Sequence, residues 1–298
     1  MAKHVELNDL SKPALIRAAH NAVAGALAGD FPVDPIIGPE LSRAISCIGS
    51  VVKRHGALIE LGIAGALKAN DRFIVLTNVP LPLTKGAAQL LDARNSDEDL
   101  ANIRLSADSE AEGIVNVDMV VVDPEAGWAG AYEIKRGNGV TESGKRRPTV
   151  RKLRAARLVL ASYVRQHGCG PVDSVTSAVI DYFGGSGFEA EFTLTRDRLD
   201  AHFGVPVVAM VDAMTATVRE ALEAELSGLL APVLAGMVPT VAGIATAMDI
   251  DAAVDARRAP MDPAVLRTLT APPTGPGQRC STRSRMRDPG NRTPAPKH

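Results

Sequence analysis

Residues 113–137 constrain the fold more than any other stretch, because they have the composition of two buried strands joined by a turn. Residues 114–122 are mostly β-branched or otherwise apolar, residues 123–127 are typical of a turn, and residues 128–135 form the return strand. A strand this apolar is normally buried on both faces. Acidic side chains inside such a pair therefore need an opposite charge or a cation to compensate them.

Three charged side chains of this strand pair can meet at one point. Successive residues of a strand alternate between its faces, so Glu133 and Lys135 share one face and Ile134 occupies the other. If the two strands are antiparallel neighbours, Asp118 comes close to both charged residues. Two neighbouring carboxylates repel each other unless one is protonated or a cation lies between them. A hard cation such as Mg²⁺ meets that condition with oxygen ligands, and the lysine would then lie beside metal-bound water and a phosphate.

This arrangement resembles the motif of the PD-(D/E)XK nuclease superfamily, whose members have the restriction-endonuclease-like fold. The resemblance rests on Asp118 at the end of one strand and on Glu133, Ile134 and Lys135 on the next; position 117 holds valine where the motif has proline. It implies that Asp118 and Glu133 are catalytic acids that bind Mg²⁺ or Mn²⁺, and that Ile134 adds its backbone carbonyl to the metal. It also implies that Lys135 positions or activates the attacking water.

Two points of this interpretation have alternatives. An exposed hairpin could carry Asp118 and Lys135 as a solvated ion pair, which contributes little to stability. In the resembled superfamily the helix before the first strand often supplies an additional catalytic acid, and Glu60 lies in an apolar helical stretch at that place. The alternative for Glu60 is a side chain on the solvent side of its helix.

The charge changes sign after the second strand. Residues 135–165 contain ten Lys or Arg and one acid, which predicts a basic loop followed by a helix over residues 149–167. Lys152 is expected with the arginines on the face of this helix away from its buried stripe. Guanidinium groups and the N–H groups of a helix N-terminus bind phosphate, and the scarcity of acids argues against the alternative of a merely solvated helix face. The residues predicted to bind DNA are Arg136, Lys145, Arg146, Arg147, Arg151 and Arg154.

Composition limits the partners and the compartment. The formal net charge of −1 predicts no general attraction to nucleic acid, so a DNA-binding field has to come from local clustering. The three cysteines form no C-x-x-C pair, which argues against structural zinc and a disulfide framework and predicts a reducing, cytoplasmic location. The first residues lack the apolar run of a signal peptide. The expected partner is DNA. The sequence leaves open whether the protein forms a homodimer, and it predicts no contact with a membrane.

Local patterns predict helices over residues 12–27 and 196–203, and a helical stretch over 38–68 with a break at Gly56. They also predict a strand over 72–79 that Pro80 and Pro82 end, and a polar loop over 95–99.

The order of predicted elements over residues 38–184 is helix, three strands, helix and strand, which is the order of the resembled superfamily core. We therefore expect an α/β fold with a restriction-endonuclease-like mixed central sheet flanked by helices and an appended C-terminal helical region. The predicted divisions are an N-terminal helical extension over 1–37, the nuclease-like core over 38–190, a helical region over 191–257, and a basic, disordered tail over 258–298.

The expected function is a metal-dependent DNA nuclease, and two alternatives come from other classes. One is a catalytically inactive module that keeps the nuclease fold to bind DNA or protein. The other is a membrane-tethered scaffold, because residues 226–248 carry no charge and are long enough to span a bilayer. Pro232 and Pro239 interrupt that stretch and its near flanks are acidic, which favours a packed helical region.

Overall fold

The computed structural model describes residues 10–93 and 95–237 of the chain. The helices are α1 (Lys12–Leu27), α2 (Pro39–Lys68), α3 (Lys85–Asp92), α4 (Asp97–Ala101), α5 (Ser143–Gln166), α6 (Arg196–Phe203) and α7 (Val207–Met237). The strands are β1 (Ile74–Thr84), β2 (Ala111–Asp123), β3 (Trp128–Lys135), β4 (Ser174–Asp181) and β5 (Thr193–Thr195). The predicted tail over 258–298 lies outside the described residues.

The five strands form one mixed sheet in the order β1-β2-β3-β4-β5. The first three strands pair antiparallel, whereas β4 and β5 pair parallel to β3 and to each other. A parallel pair needs a crossover connection, and α5 supplies it between β3 and β4. The prediction of an α/β fold with a mixed sheet flanked by helices is confirmed.

Helices cover both faces of the sheet. On one face α2, α6 and α7 pack on the sheet in a cluster that includes Ile63, Met119, Tyr132 and Phe203; we call it the α2-side cluster. On the other face α5 packs on a second group that includes Val120, Ala131 and Val159, the α5-side cluster. A third cluster joins α1 to α2 and α7. Helices on the two faces bury β3 and residues 119–123 of β2 almost completely, as their apolar sequences predict, whereas residues 111–116 of β2 are exposed or half-buried.

Strand β1 is longer than its sequence predicts. Pro80 and Pro82 were expected to end it, but pairing with β2 continues through both prolines to Thr84. The expectation was wrong because β1 is an edge strand, where a proline nitrogen without a hydrogen can face solvent.

A close backbone approach fixes the chain after β3. Gly137 has φ +74°, and a Cβ on it would overlap the Asp181 carboxylate. Asp181 is buried at the end of β4 and accepts hydrogen bonds from the N–H groups of Gly184 (3.1 Å) and Ser186 (2.8 Å). Only glycine avoids both the steric overlap and the strain of positive φ at residue 137. The loop that leads to α5 is therefore anchored directly beyond Lys135.

Residues 226–248 were also considered as a membrane span. Among residues 10–93 and 95–237, no helix combines the length and the apolar character needed to cross a bilayer. The part of that stretch from residue 238 onward falls outside the described residues.

Candidate active site

Strands β2 and β3 separate at the position of Asp118. Their last paired residues are Met119 and Tyr132, so the next residues of both strands have no cross-strand partner in this register. Asp118 Oδ2 instead accepts a hydrogen bond from the backbone N–H of Ile134 at 2.6 Å. The N–H and C=O of one strand residue point to the same edge, so the Ile134 carbonyl also faces the gap that opens between the strands.

Glu133 is 3% exposed and lies between two lysines. Lys135 Nζ lies 3.1 Å from Glu133 Oε2 and 3.9 Å from Asp118 Oδ2. Lys152 of α5 donates to the other carboxylate oxygen, Glu133 Oε1. The structure thus brings Asp118, Glu133 and Lys135 together, as the strand pattern predicts, and adds a second lysine from the opposite side.

Glu60 approaches the same group from α2. Burial, followed by repulsion from Asp118, raises its pKa to about 7, while Lys135 opposes that rise. Burial and repulsion from Glu133 likewise raise the pKa of Asp118, against the Ile134 N–H and the two lysines. Burial disfavours the Lys135 ammonium, but Glu133 and Asp118 outweigh it and raise the pKa of Lys135. We call Glu60, Asp118, Glu133, Ile134, Lys135 and Lys152 together the candidate active site.

The donor set fits a hard cation in part. The carboxylates of Asp118 and Glu133 with the Ile134 carbonyl are oxygen donors, and Mg²⁺ commonly takes only one or two carboxylates from a protein. In residues 10–93 and 95–237 there is no group of three or more His, Cys, Asp or Glu side chains that could hold a metal ion. Glu60 therefore does not complete a three-acid group in this arrangement.

Lys152 is the residue of this site that sequence reasoning missed. It was grouped with the basic residues expected to face solvent or phosphate. On α5, however, Lys152 lies four residues before Ala156 and seven before Val159, and both of these pack against the sheet. Residues four and seven apart share one helix face, so that spacing was a usable signal that Lys152 points to the sheet.

The basic residues predicted to bind DNA are not all in one place. One groove of about 380 Å³ is lined by residues of α5 and of the loop before β5; its basic members are Arg146, Arg147, Arg151 and Arg154. We call it the arginine groove. Lys145 pairs with Glu142 at the exposed start of α5. Arg136 lies apart from the groove, because its Nε donates to His55 Nδ1 at 3.0 Å and its guanidinium lies over the Phe183 ring.

Acids from other elements pair with part of the arginine groove. Asp97 of α4 binds Arg154 through both carboxylate oxygens, and Asp92 of α3 lies 2.9 Å from Arg151. Within the described parts of the chain neither Arg146 nor Arg147 makes an ion pair, but Arg146 donates to the Gly187 carbonyl. Arg147 is exposed and has no such contact there, so it is the arginine of the groove most available to an anion. The scarcity of acids in residues 135–165 therefore does not mean that these arginines lack acidic partners.

Comparison with protein-family models, curated proteins and solved structures gives no significant match.

Proposed function

We propose that the protein is a Mg²⁺- or Mn²⁺-dependent nuclease that hydrolyses phosphodiester bonds in DNA and is restriction-endonuclease-like in fold and site. The observation that carries the proposal is the meeting of Asp118, Glu133, Ile134 and Lys135 where β2 and β3 separate. Apart from the short helices α3 and α4, the order of elements around it is α2, three antiparallel strands, α5 and a parallel strand. This order supports the resemblance to the superfamily core. Cytoplasmic location is part of the same proposal.

Five residues of the candidate active site have distinct parts in this function. Asp118, Glu133 and the Ile134 carbonyl would hold the cation, which when bound lowers the pKa of water and stabilises charge on a phosphoryl group. Lys135 orients the attacking water and places a positive charge beside the phosphate as negative charge develops. Glu60 assists from α2, on the side of the site opposite Lys152.

The arginine groove supplies a phosphate contact outside the reacting centre. Arg147 has no acidic partner among the described residues, and a guanidinium binds phosphate oxygens through two parallel hydrogen bonds. DNA held there would lie along α5, the helix that also carries Lys152 to Glu133.

A specific observation favours a second candidate, the catalytically inactive DNA- or protein-binding module. Both oxygens of Glu133 already accept hydrogen bonds from lysines. A cation that binds Glu133 would have to displace at least one of these ammonium groups. A site neutralised in this way by its own lysines needs no metal to stay folded.

One experiment separates the two candidates. Purified protein is incubated with linear, nicked and single-stranded DNA in Mg²⁺, in Mn²⁺ and in EDTA, beside Asp118→Asn and the matched control Glu125→Gln, an exposed acid of the β2–β3 turn. The nuclease proposal expects metal-dependent cleavage by wild type and by the control, and none by Asp118→Asn. DNA binding without cleavage of any substrate would support the binding module, and cleavage that survives in Asp118→Asn would refute the assignment of the site.

A further inference from the structure

Asn78 of β1 has an unusual backbone conformation beside the candidate active site. Its φ is +51°, and it is the only residue other than glycine with positive φ in residues 10–93 and 95–237. A left-handed residue inside a strand is rare, since the Cβ then crowds the backbone, although asparagine tolerates it better than most residues. Such conformations persist only where the surrounding structure holds them, and they are concentrated at functional sites.

The position of Asn78 in the strand pairing is opposite Asp118. Thr77 pairs with Met119 and Val79 pairs with Val117, and the two residues between these pairs, Asn78 and Asp118, are left out of the register. The interruption of β1 therefore lies directly across from the acid that has also lost its partner on β3.

Both strands change the face they bury at this point. Met119 packs in the α2-side cluster, but Val117, two residues away on the same strand, packs in the α5-side cluster. Val75 and Val79 of β1 differ in the same way. Residues separated by an even number of positions share a face in a regular strand. The β1–β2 pair must therefore turn about its own axis at Asn78 and Asp118.

We propose that Asn78 is a positioning residue of the candidate active site. Its left-handed backbone turns the β1–β2 pair so that the Asp118 carboxylate leaves the regular strand face and reaches the Ile134 N–H. The Asn78 side chain is exposed and makes no hydrogen bond within the described residues, so packing and side-chain bonding do not explain its conformation. The importance of this turn for metal binding rests on the proposed function, but the geometry of Asp118 does not.

The test compares residues that accept positive φ with residues that resist it. Asn78→Gly keeps the left-handed conformation without strain. Asn78→Ala resists it, and Asn78→Val, being β-branched, resists it more. Asn116→Val is the matched control, because Asn116 is also exposed, lies across the same strand pair opposite Pro80, and has no positive φ.

The readout is amide hydrogen exchange at Ile134, measured in EDTA with the amides of β4 as an internal reference. We expect Asn78→Val to lower the protection of the Ile134 amide by roughly five- to thirty-fold. This is the population change that corresponds to the cost of the left-handed conformation for residues other than glycine and asparagine. The protection of the Ile134 amide in Asn78→Ala should lie between that in Asn78→Val and that in wild type. In Asn78→Gly and Asn116→Val it should stay within about two-fold of wild type. The protection of the β4 amides should be unchanged in all variants. Equal protection of Ile134 in Asn78→Val and Asn116→Val would overturn the proposal. If Asn78→Val does not fold, Asn78→Ala decides the question by the same comparison.

A second measurement connects the turn to the proposed function. Titration with Mn²⁺ should show affinity weakened several-fold in Asn78→Ala and unchanged in Asn78→Gly, following the fraction of molecules with Asp118 in place. Wild type that binds no Mn²⁺ but shows the expected exchange pattern would refute the metal site and leave the positioning role standing. Full Mn²⁺ affinity in a variant that has lost protection at Ile134 would overturn the link between the turn and the site.

Discussion

The free energy of unfolding should fall when Glu133 loses its charge and should stay the same or rise when Asp118 loses its charge. Glu133 is buried, and its two oxygens face Lys135 and Lys152. In Glu133→Gln the new NH₂ group would face an ammonium donor. Lys152 would lose its counter-charge, and Lys135 would keep only the more distant Asp118 carboxylate at 3.9 Å. Asp118→Asn keeps an oxygen for the Ile134 N–H and removes repulsion with Glu133, in a place where burial already disfavours the charge.

The size of the effect follows from exposure. Removing one partner of a buried ion pair costs about 3–5 kcal/mol. The Lys135 and Lys152 side chains are 34% and 25% exposed, so solvent screens them in part. We therefore expect Glu133→Gln to lose about 1–3 kcal/mol in the free energy of unfolding. Asp118→Asn should unfold with an unchanged or higher free energy, because the charged form of Asp118 is disfavoured in the fold.

The assay is urea denaturation at pH 7 in EDTA, so that no cation alters the charge balance. Adding Lys152→Met to Glu133→Gln should recover part of the loss, because replacing both partners removes an unpaired ammonium. Glu125→Gln, in the exposed turn, serves as the control and should match wild type. A Glu133→Gln variant as stable as wild type, or an Asp118→Asn variant destabilised to the same extent, would show that the lysines do not hold Glu133 as the structure indicates.

Three further predictions concern catalysis, DNA binding and pH. Lys135→Ala should lower Mg²⁺-dependent cleavage by about 10²–10³-fold, because the charge of Lys135 acts mainly in the transition state. DNA affinity measured in Ca²⁺ should change only a few-fold. Equal cleavage by wild type and variant would remove Lys135 from the mechanism. Arg147→Gln should reduce the slope of log affinity for DNA against log salt concentration by about one. The control Arg219→Gln, on the exposed surface of α7, should leave this slope unchanged. An unchanged slope in Arg147→Gln would contradict the phosphate contact. Burial, followed by repulsion from Arg136, lowers the pKa of His55 to about 4, so the fold favours the neutral imidazole. The contribution of His55 to the free energy of unfolding is therefore fully present above pH 6.5 and is lost as the pH falls from 6.5 towards 4. We expect a loss of about 1–2 kcal/mol between pH 7.5 and pH 5 that His55→Gln removes; a pH profile of unfolding that is the same in both proteins would refute it.

Local signals predicted several elements to the residue. Helices α1 and α6 and strand β3 begin and end where the sequence pattern places them. For α6 the reason is visible, since Gly204 follows the helix in the left-handed conformation that commonly ends helices. The alternation of faces on β3 predicted that Glu133 and Lys135 would lie side by side, and they do. Signals of this kind depend on neighbours in the chain, which the sequence shows directly.

Other boundaries were wrong because packing outweighed a local preference. Gly56 was expected to interrupt the second helix, but α2 is one continuous helix over Pro39–Lys68. A glycine inside a helix costs about 1 kcal/mol relative to alanine. Val51, Leu58 and Ile59 on either side of it are buried, and each buried side chain of this size contributes about 1.5–3 kcal/mol. The polar residues predicted as a loop before β2 instead form α4, and here a local signal was missed, because Ser96 and Asp99 make a capping box at its start.

The charged contacts were the part that the sequence could not show, because their partners are far apart along the chain. Lys152 meets Glu133, and Arg154 meets Asp97, which lies 57 residues before it. A count of acids within the basic segment finds neither pair, since both depend on how α5 lies against β3 and α4. The same contacts decide which arginines stay available for the proposed contact with DNA. Asp97 neutralises Arg154 and also pairs with Arg157, so substitution of either arginine would disturb the packing of α4 on α5 together with any phosphate contact. Arg147 lacks such a partner among the described residues, and its replacement therefore reports on DNA binding alone.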